Sequence, residues 1–209
     1  VSLDEPLPGP GPRRWIASVV TLGLLVSPGA AEAHLVTTGL GPVYDGLVHF
    51  ALAPEDLVPA LALGALAGLR GAAHGRRVLL VLPTAWLLGG LLGLSFGVGL
   101  SPHLPVASFL LLGGLVAADA RLPLAATGAL ALVLGLFHGY LNGVAMARPG
   151  LGALGVVGIV ACVFTLTALA ASLVVPLRAV WARVAVRVAG SWIAAVGLLL
   201  CGWALRPGA

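Results

Sequence analysis

Residues 78–118 read VLLVLPTAWLLGGLLGLSFGVGLSPHLPVASFLLLGGLVAA, 41 consecutive positions without a charged side chain. A helix needs about 20 apolar residues to cross the hydrocarbon core of a bilayer. The stretch is therefore long enough for two crossings, and Ser101-Pro102-His103-Leu104-Pro105 marks the turn between them. In lipid every backbone polar group must be bonded within the protein, so helices are the expected form. The other uncharged intervals, 57–69, 122–147, 149–177 and 188–205, supply one span each, the first by borrowing from its flanks. The expected fold is all-α: a polytopic membrane helix bundle of six transmembrane helices. Their expected positions are 55–71, 78–100, 104–119, 122–146, 151–175 and 185–205.

Composition points the same way. The chain has 209 residues, 60% of them hydrophobic and 9% charged, with a mean hydropathy of +1.11. Soluble domains carry about 25% charged residues, so a water-soluble enzyme, a disordered chain and a disulfide-stapled secreted domain are excluded. The sequence pI near 10.0 comes from eleven basic residues, all arginine. No basic run exceeds two residues, so no nucleic-acid partner is implied, and the lipid bilayer is the expected partner.

Residues 1–33 read as a signal peptide. Arg13-Arg14 precedes an apolar run from Trp15 to Val26, and Ala31-Glu32-Ala33 forms a small-residue cleavage site. Cleavage there leaves a membrane domain of residues 34–209 beginning at His34, in a bacterial inner membrane with the mature N-terminus periplasmic. An uncleaved anchor is the alternative. In that orientation Arg70, Arg76, Arg77, Arg121, Arg178, Arg183 and Arg187 lie inside, and Arg148 and Arg206 outside. The asymmetry obeys the positive-inside rule and accounts for the high pI.

An ionisable group within the hydrocarbon costs about 2.5–3.5 kcal/mol on insertion scales, which makes each one a functional candidate. His138 stands in Phe137-His138-Gly139-Tyr140-Leu141-Asn142-Gly143, with Asn142 one turn further along the same helix face. A neutral histidine bonded between helices is the plainer account of it. Asp45 and His49 share a similar spacing before Pro54, and Glu55 and Asp56 follow that proline. A proline with acids in the first turn is also an ordinary helix start. Imidazole nitrogen and carboxylate oxygen together suit a divalent transition metal better than calcium or magnesium. The candidate metal ligands are His49, Glu55, Asp56, His138, Asn142, Asp45 and His34. His103 is a further outer-side imidazole, His74 is expected in an inner loop, and Asp119 is expected beside Arg121. Cys162 and Cys201 lie on different spans and have no assigned role. Glycines recur every fourth residue, at Gly89, Gly93 and Gly97 and at Gly135, Gly139 and Gly143, as close helix packing requires.

These residues resemble the HupE/UreJ family of small bacterial membrane proteins, associated with hydrogenase and urease gene clusters and regarded as nickel or cobalt permeases. The resemblance lies in Ala33-His34 after the signal, in a first-span His-Pro-x-x-Gly-x-Asp-His pattern and in a fourth-span His-Gly-x-x-His-Gly pattern. This chain keeps His49, but Phe50 replaces the proline, Ala53 the glycine, Glu55 the aspartate and Asp56 the second histidine. In the fourth span His138-Gly139 is kept and Asn142 replaces the second histidine. Two imidazoles have become a carboxylate and an amide, which makes the site more oxygen-rich.

Three function classes remain. The first is a permease taking up a divalent transition metal from the periplasm, nickel or cobalt with copper or zinc as further candidates; the metal is substrate, and no resident cofactor is assigned. The second is a non-transporting accessory protein that binds or delivers metal to a metalloenzyme, whose maturation proteins would be partners alongside a homo-oligomer. The third, an intramembrane enzyme, lacks a nucleophile at catalytic spacing from His138 and any His-Glu-x-x-His, so no enzymatic activity is expected.

Overall fold

The computed structural model describes residues 38–98, 105–147 and 149–206, and their regular structure is entirely helical. Seven helices follow one another: α1 (Pro42–Leu52), α2 (Pro54–Arg70), α3 (Ala72–Phe96), α4 (Val106–Ala117), α5 (Leu124–Ala147), α6 (Gly152–Val174) and α7 (Val180–Ala204). Prolines open α1 and α2, where the missing N–H loses no helical bond. Gly97 closes α3 in the left-handed region (φ 64°), and its N–H bonds the Gly93 carbonyl.

The described residues support four or five spans, and the expected six are not confirmed. Four helices, α3, α5, α6 and α7, are long and apolar enough to cross a membrane. α1 and α2 form a fifth only if taken together, and they bend by 76° at their junction. α4 has 12 residues, about 18 Å of helix against a hydrocarbon core of about 30 Å. Uncharged intervals measure apolar sequence and not helix length, so 104–119 looked adequate while its helix is shorter. The interval at 57–69 does borrow from its N-terminal flank, but the added helix meets it at an angle. The signal peptide 1–33 and the turn residues 101–104 lie outside the described residues.

α2 is the most enclosed helix, buried along nearly its whole length from Asp56 to Leu69. α3 packs most extensively against α5, α4 against α7, and α1 and α2 both against α6. Small residues set these distances. A Cβ on Gly89 or Gly93 would strike the backbone of α5 at Leu136 or Tyr140, and one on Gly139 or Gly143 would strike α3 at Trp86 or Gly90. The two stripes thus interlock backbone to backbone. α1 meets α6 similarly, through Gly46 against Gly155 and Gly158 against Val43. α7 is buried only at Ala182, Gly190 and Gly197.

Arginines gather at one end of the bundle. Asp119, at φ 50° in the turn after α4, is ion-paired with Arg70 and lies 3.3 Å from Arg183. The carboxylate thus reaches across the bundle to α2 and α7, to arginines that are distant from it in sequence. Arg187 donates to the Ala117 carbonyl at 3.0 Å. His74 is corrected, from loop to the first turn of α3, with Nδ1 3.0 Å from the Thr127 hydroxyl.

Gly89→Val should lower stability by about 1–3 kcal/mol, because neither backbone can yield to the added methyls. Gly114→Ala, where a Cβ meets nothing within 4 Å, should leave it unchanged or raise it by about 0.5–1 kcal/mol. Unfolding in mild detergent, followed by circular dichroism, separates the two.

Candidate functional site

Asp56 is the third residue of α2, and His138 and Asn142 occupy successive turns of α5. Each of Asp56 and His138 stands 14 residues from its helix's arginine-rich end, at Arg70 and Leu124. At 1.5 Å per residue both are about 21 Å from that end, so the antiparallel helices bring them to one level. His138 is fully buried, and Asp56 and Asn142 are 3% and 4% exposed.

Their bonds form one chain. The Trp86 indole Nε1–H donates to Asn142 Oδ1 at 3.0 Å. An indole can only donate, so this contact fixes the amide orientation and turns Asn142 Nδ2 toward Asp56. Nδ2 donates to Asp56 Oδ2 at 2.6 Å, and His138 Nδ1 lies 2.7 Å from Asp56 Oδ1. Each oxygen of the Asp56 carboxyl thus has one partner on α5. The N-terminus of α2 adds its positive dipole end beside the carboxylate. His138 Nε2, on the other side of the ring, is buried with no hydrogen-bond partner among the described residues.

Aromatic rings enclose the imidazole. Trp86 and Phe137 lie 5.5 Å and 5.2 Å from it, centroid to centroid, and Phe50 packs edge-on against Trp86 at 5.5 Å. Such walls keep bulk water from the pair, and their faces attract cations.

The remaining expected ligands are placed elsewhere. Asp45 is buried but accepts from both the backbone N–H and the hydroxyl of Thr38, each at 2.6 Å. Glu55 is exposed and His49 half-buried, and neither hydrogen-bonds to the Asp56–His138–Asn142 trio. His34 and His103 lie outside the described residues. Among the described residues no three His, Cys, Asp or Glu side chains converge on one ion position. Cys162 and Cys201 are free thiols on α6 and α7. Trp86 and Phe50 belong to the site although neither carries a ligating atom. Trp86 had one legible signal: a donor-only indole in mid-span needs an acceptor.

Trp86→Phe should cost about 1–3 kcal/mol, since it leaves the buried Asn142 Oδ1 unbonded. Glu55→Gln, on an exposed side chain, should stay within about 0.5 kcal/mol. Denaturation of both variants in detergent checks the contrast.

Comparison with protein-family models matches HupE / UreJ protein over residues 19–200. That range runs from before α1 into the last turns of α7. Comparison with curated proteins and with solved structures gave no significant match.

Proposed function

The chain belongs to the HupE / UreJ family, and from that premise we propose that this multi-pass membrane protein is a permease for a divalent transition metal, nickel or cobalt foremost. The observation that carries the proposal is the buried, unpartnered Nε2 of His138. A histidine whose other nitrogen donates to a carboxylate is a common metal-ligand arrangement, because the carboxylate fixes the tautomer and raises the basicity of the free nitrogen. Here Asp56 does that orienting and also supplies the negative charge that offsets an entering cation.

A single imidazole with a carboxylate behind it holds an ion weakly. Weak holding suits conduction, which needs an ion to leave as readily as it enters. Glu55, exposed at the same helix start, is placed to hand ions inward. With the arginine-rich end in the cytoplasm, as the positive-inside rule directs, the site lies toward the periplasm. A divalent cation moving inward through 100 mV gains about 4.6 kcal/mol, enough for accumulation without nucleotide hydrolysis.

One observation favours the second reading, a non-transporting accessory protein. Both oxygens of Asp56 are already engaged, so this conformation offers an ion one nitrogen and no second ligand.

Uptake of radioactive nickel or cobalt into proteoliposomes with an imposed inside-negative potential tests the choice. The wild type should accumulate metal, His138→Ala should lose about tenfold or more, in line with loss of a ligand or its support, and Glu55→Gln should lose less. Stoichiometric binding without flux would establish the accessory role. Uptake unchanged in His138→Ala would remove the site.

A further inference from the structure

α6 and α7 are consecutive and antiparallel, joined by residues 175–179, yet they scarcely touch; α7 rests on α4 instead. The gap is a groove of about 370 Å³, closed at its back by α2 and α4. Its lining is wholly apolar and includes Leu61, Val116, Leu169, Leu173, Val186 and Ile193. In a bilayer such a groove is open to acyl chains.

One end of the groove is basic. Val116 lines it, and Asp119 follows three residues later in the turn after α4. Val186 lines it from α7, and Arg183 lies one turn beyond in the same direction. The ion cluster of Asp119, Arg70 and Arg183 therefore lies toward this end of the groove. Arg178 in the α6–α7 loop and Arg187, one turn after Arg183 on α7, are exposed. Arg70 and Arg183 pair with Asp119 and Arg187 bonds the Ala117 carbonyl, so with Arg178 this end of the chain carries four arginines to one carboxylate. The Arg70 side chain is only 10% exposed, and its Nε is buried without a hydrogen-bond partner among the described residues. Trp181 is exposed on the first turn of α7, where an aromatic ring suits the headgroup level.

We propose that this groove is a binding site for an anionic glycerophospholipid, with an acyl chain between α6 and α7 and its phosphate held by Arg178, Arg183 and Arg187. A zwitterionic lipid would fill the groove equally well but leave the cationic excess unmatched. Basic pockets between helices at one membrane face bind anionic headgroups on this principle. The lipid would complete the thinly packed seam between α7 and the rest of the bundle. The proposal needs only membrane residence and is independent of metal binding at His138.

Native mass spectrometry of the detergent-solubilised full chain tests it, with phosphatidylglycerol and phosphatidylcholine added in equal amounts. The wild type should retain phosphatidylglycerol in preference. Arg178→Gln and Arg187→Gln, on exposed side chains, should each reduce that preference by about fivefold, the worth of one arginine near an anionic surface. Ala189→Phe, which fills the groove, should release most of the bound lipid of either kind. Arg206→Gln, at the opposite end of α7, should change nothing. Equal retention of the two lipids by the wild type would overturn the proposal. So would undiminished phosphatidylglycerol on Ala189→Phe, or a dimer of the chain that occludes the groove in place of lipid.

Discussion

A carboxylate that is 3% exposed inside an apolar bundle survives only if its charge is answered nearby, since stripping an isolated ion of water costs far more than a fold can supply. Asp56 imposes that condition on everything around it. Asn142 and His138 answer it with one hydrogen bond to each oxygen, Trp86 holds Asn142 in the correct orientation, and the start of α2 directs its dipole at the same point. The Trp86–Asn142 bond crosses from α3 to α5, which approach backbone to backbone. The interlocked glycines at Gly89, Gly93, Gly139 and Gly143 permit that approach. Packing and electrostatics meet at Asn142: the small residues bring Trp86 close enough to orient the amide that bonds Asp56.

The arrangement divides the molecule by depth. At one end arginines converge on Asp119 and tie α2, α4 and α7 together. About 21 Å away, by helical rise, the Asp56 network ties α2, α3 and α5. Between these levels the bundle is apolar, and α7 contributes little burial. The more weakly packed helix is thus fastened at its arginine end, while the enclosed helix α2 takes part in both polar clusters.

Much of this was legible in the residues, and the parts that were not share a physical cause. The helical fold, the glycine stripes and the inward position of His138 and Asn142 follow from periodicity and from the cost of polar groups in lipid. Glu55 and Asp56 could not be told apart, because adjacent residues on a helix differ by about 100° in direction and only the packing of α2 decides which one turns inward. Asp45 looked like a ligand because its spacing to His49 is helical, and it is helical; its oxygen goes to Thr38 all the same. The expected spans outnumber the helices long enough to cross a membrane because 104–119 is apolar throughout while α4 is short. Trp86 stands among apolar neighbours, and its N–H, unlike the Thr84 and Ser95 hydroxyls that bond the preceding turn of their own helix, needs a partner on another helix.

The central claim is that Asp56 holds the proton of His138 on Nδ1 and so presents Nε2 to an ion. Solid-state nitrogen NMR of histidine-labelled protein in bilayers, recorded with and without a diamagnetic divalent metal such as zinc, tests it most directly. The account predicts a neutral His138 protonated at Nδ1, with a metal-induced shift confined to Nε2 and absent in Asp56→Asn. A His138 protonated at Nε2, or a spectrum indifferent to metal, would contradict it.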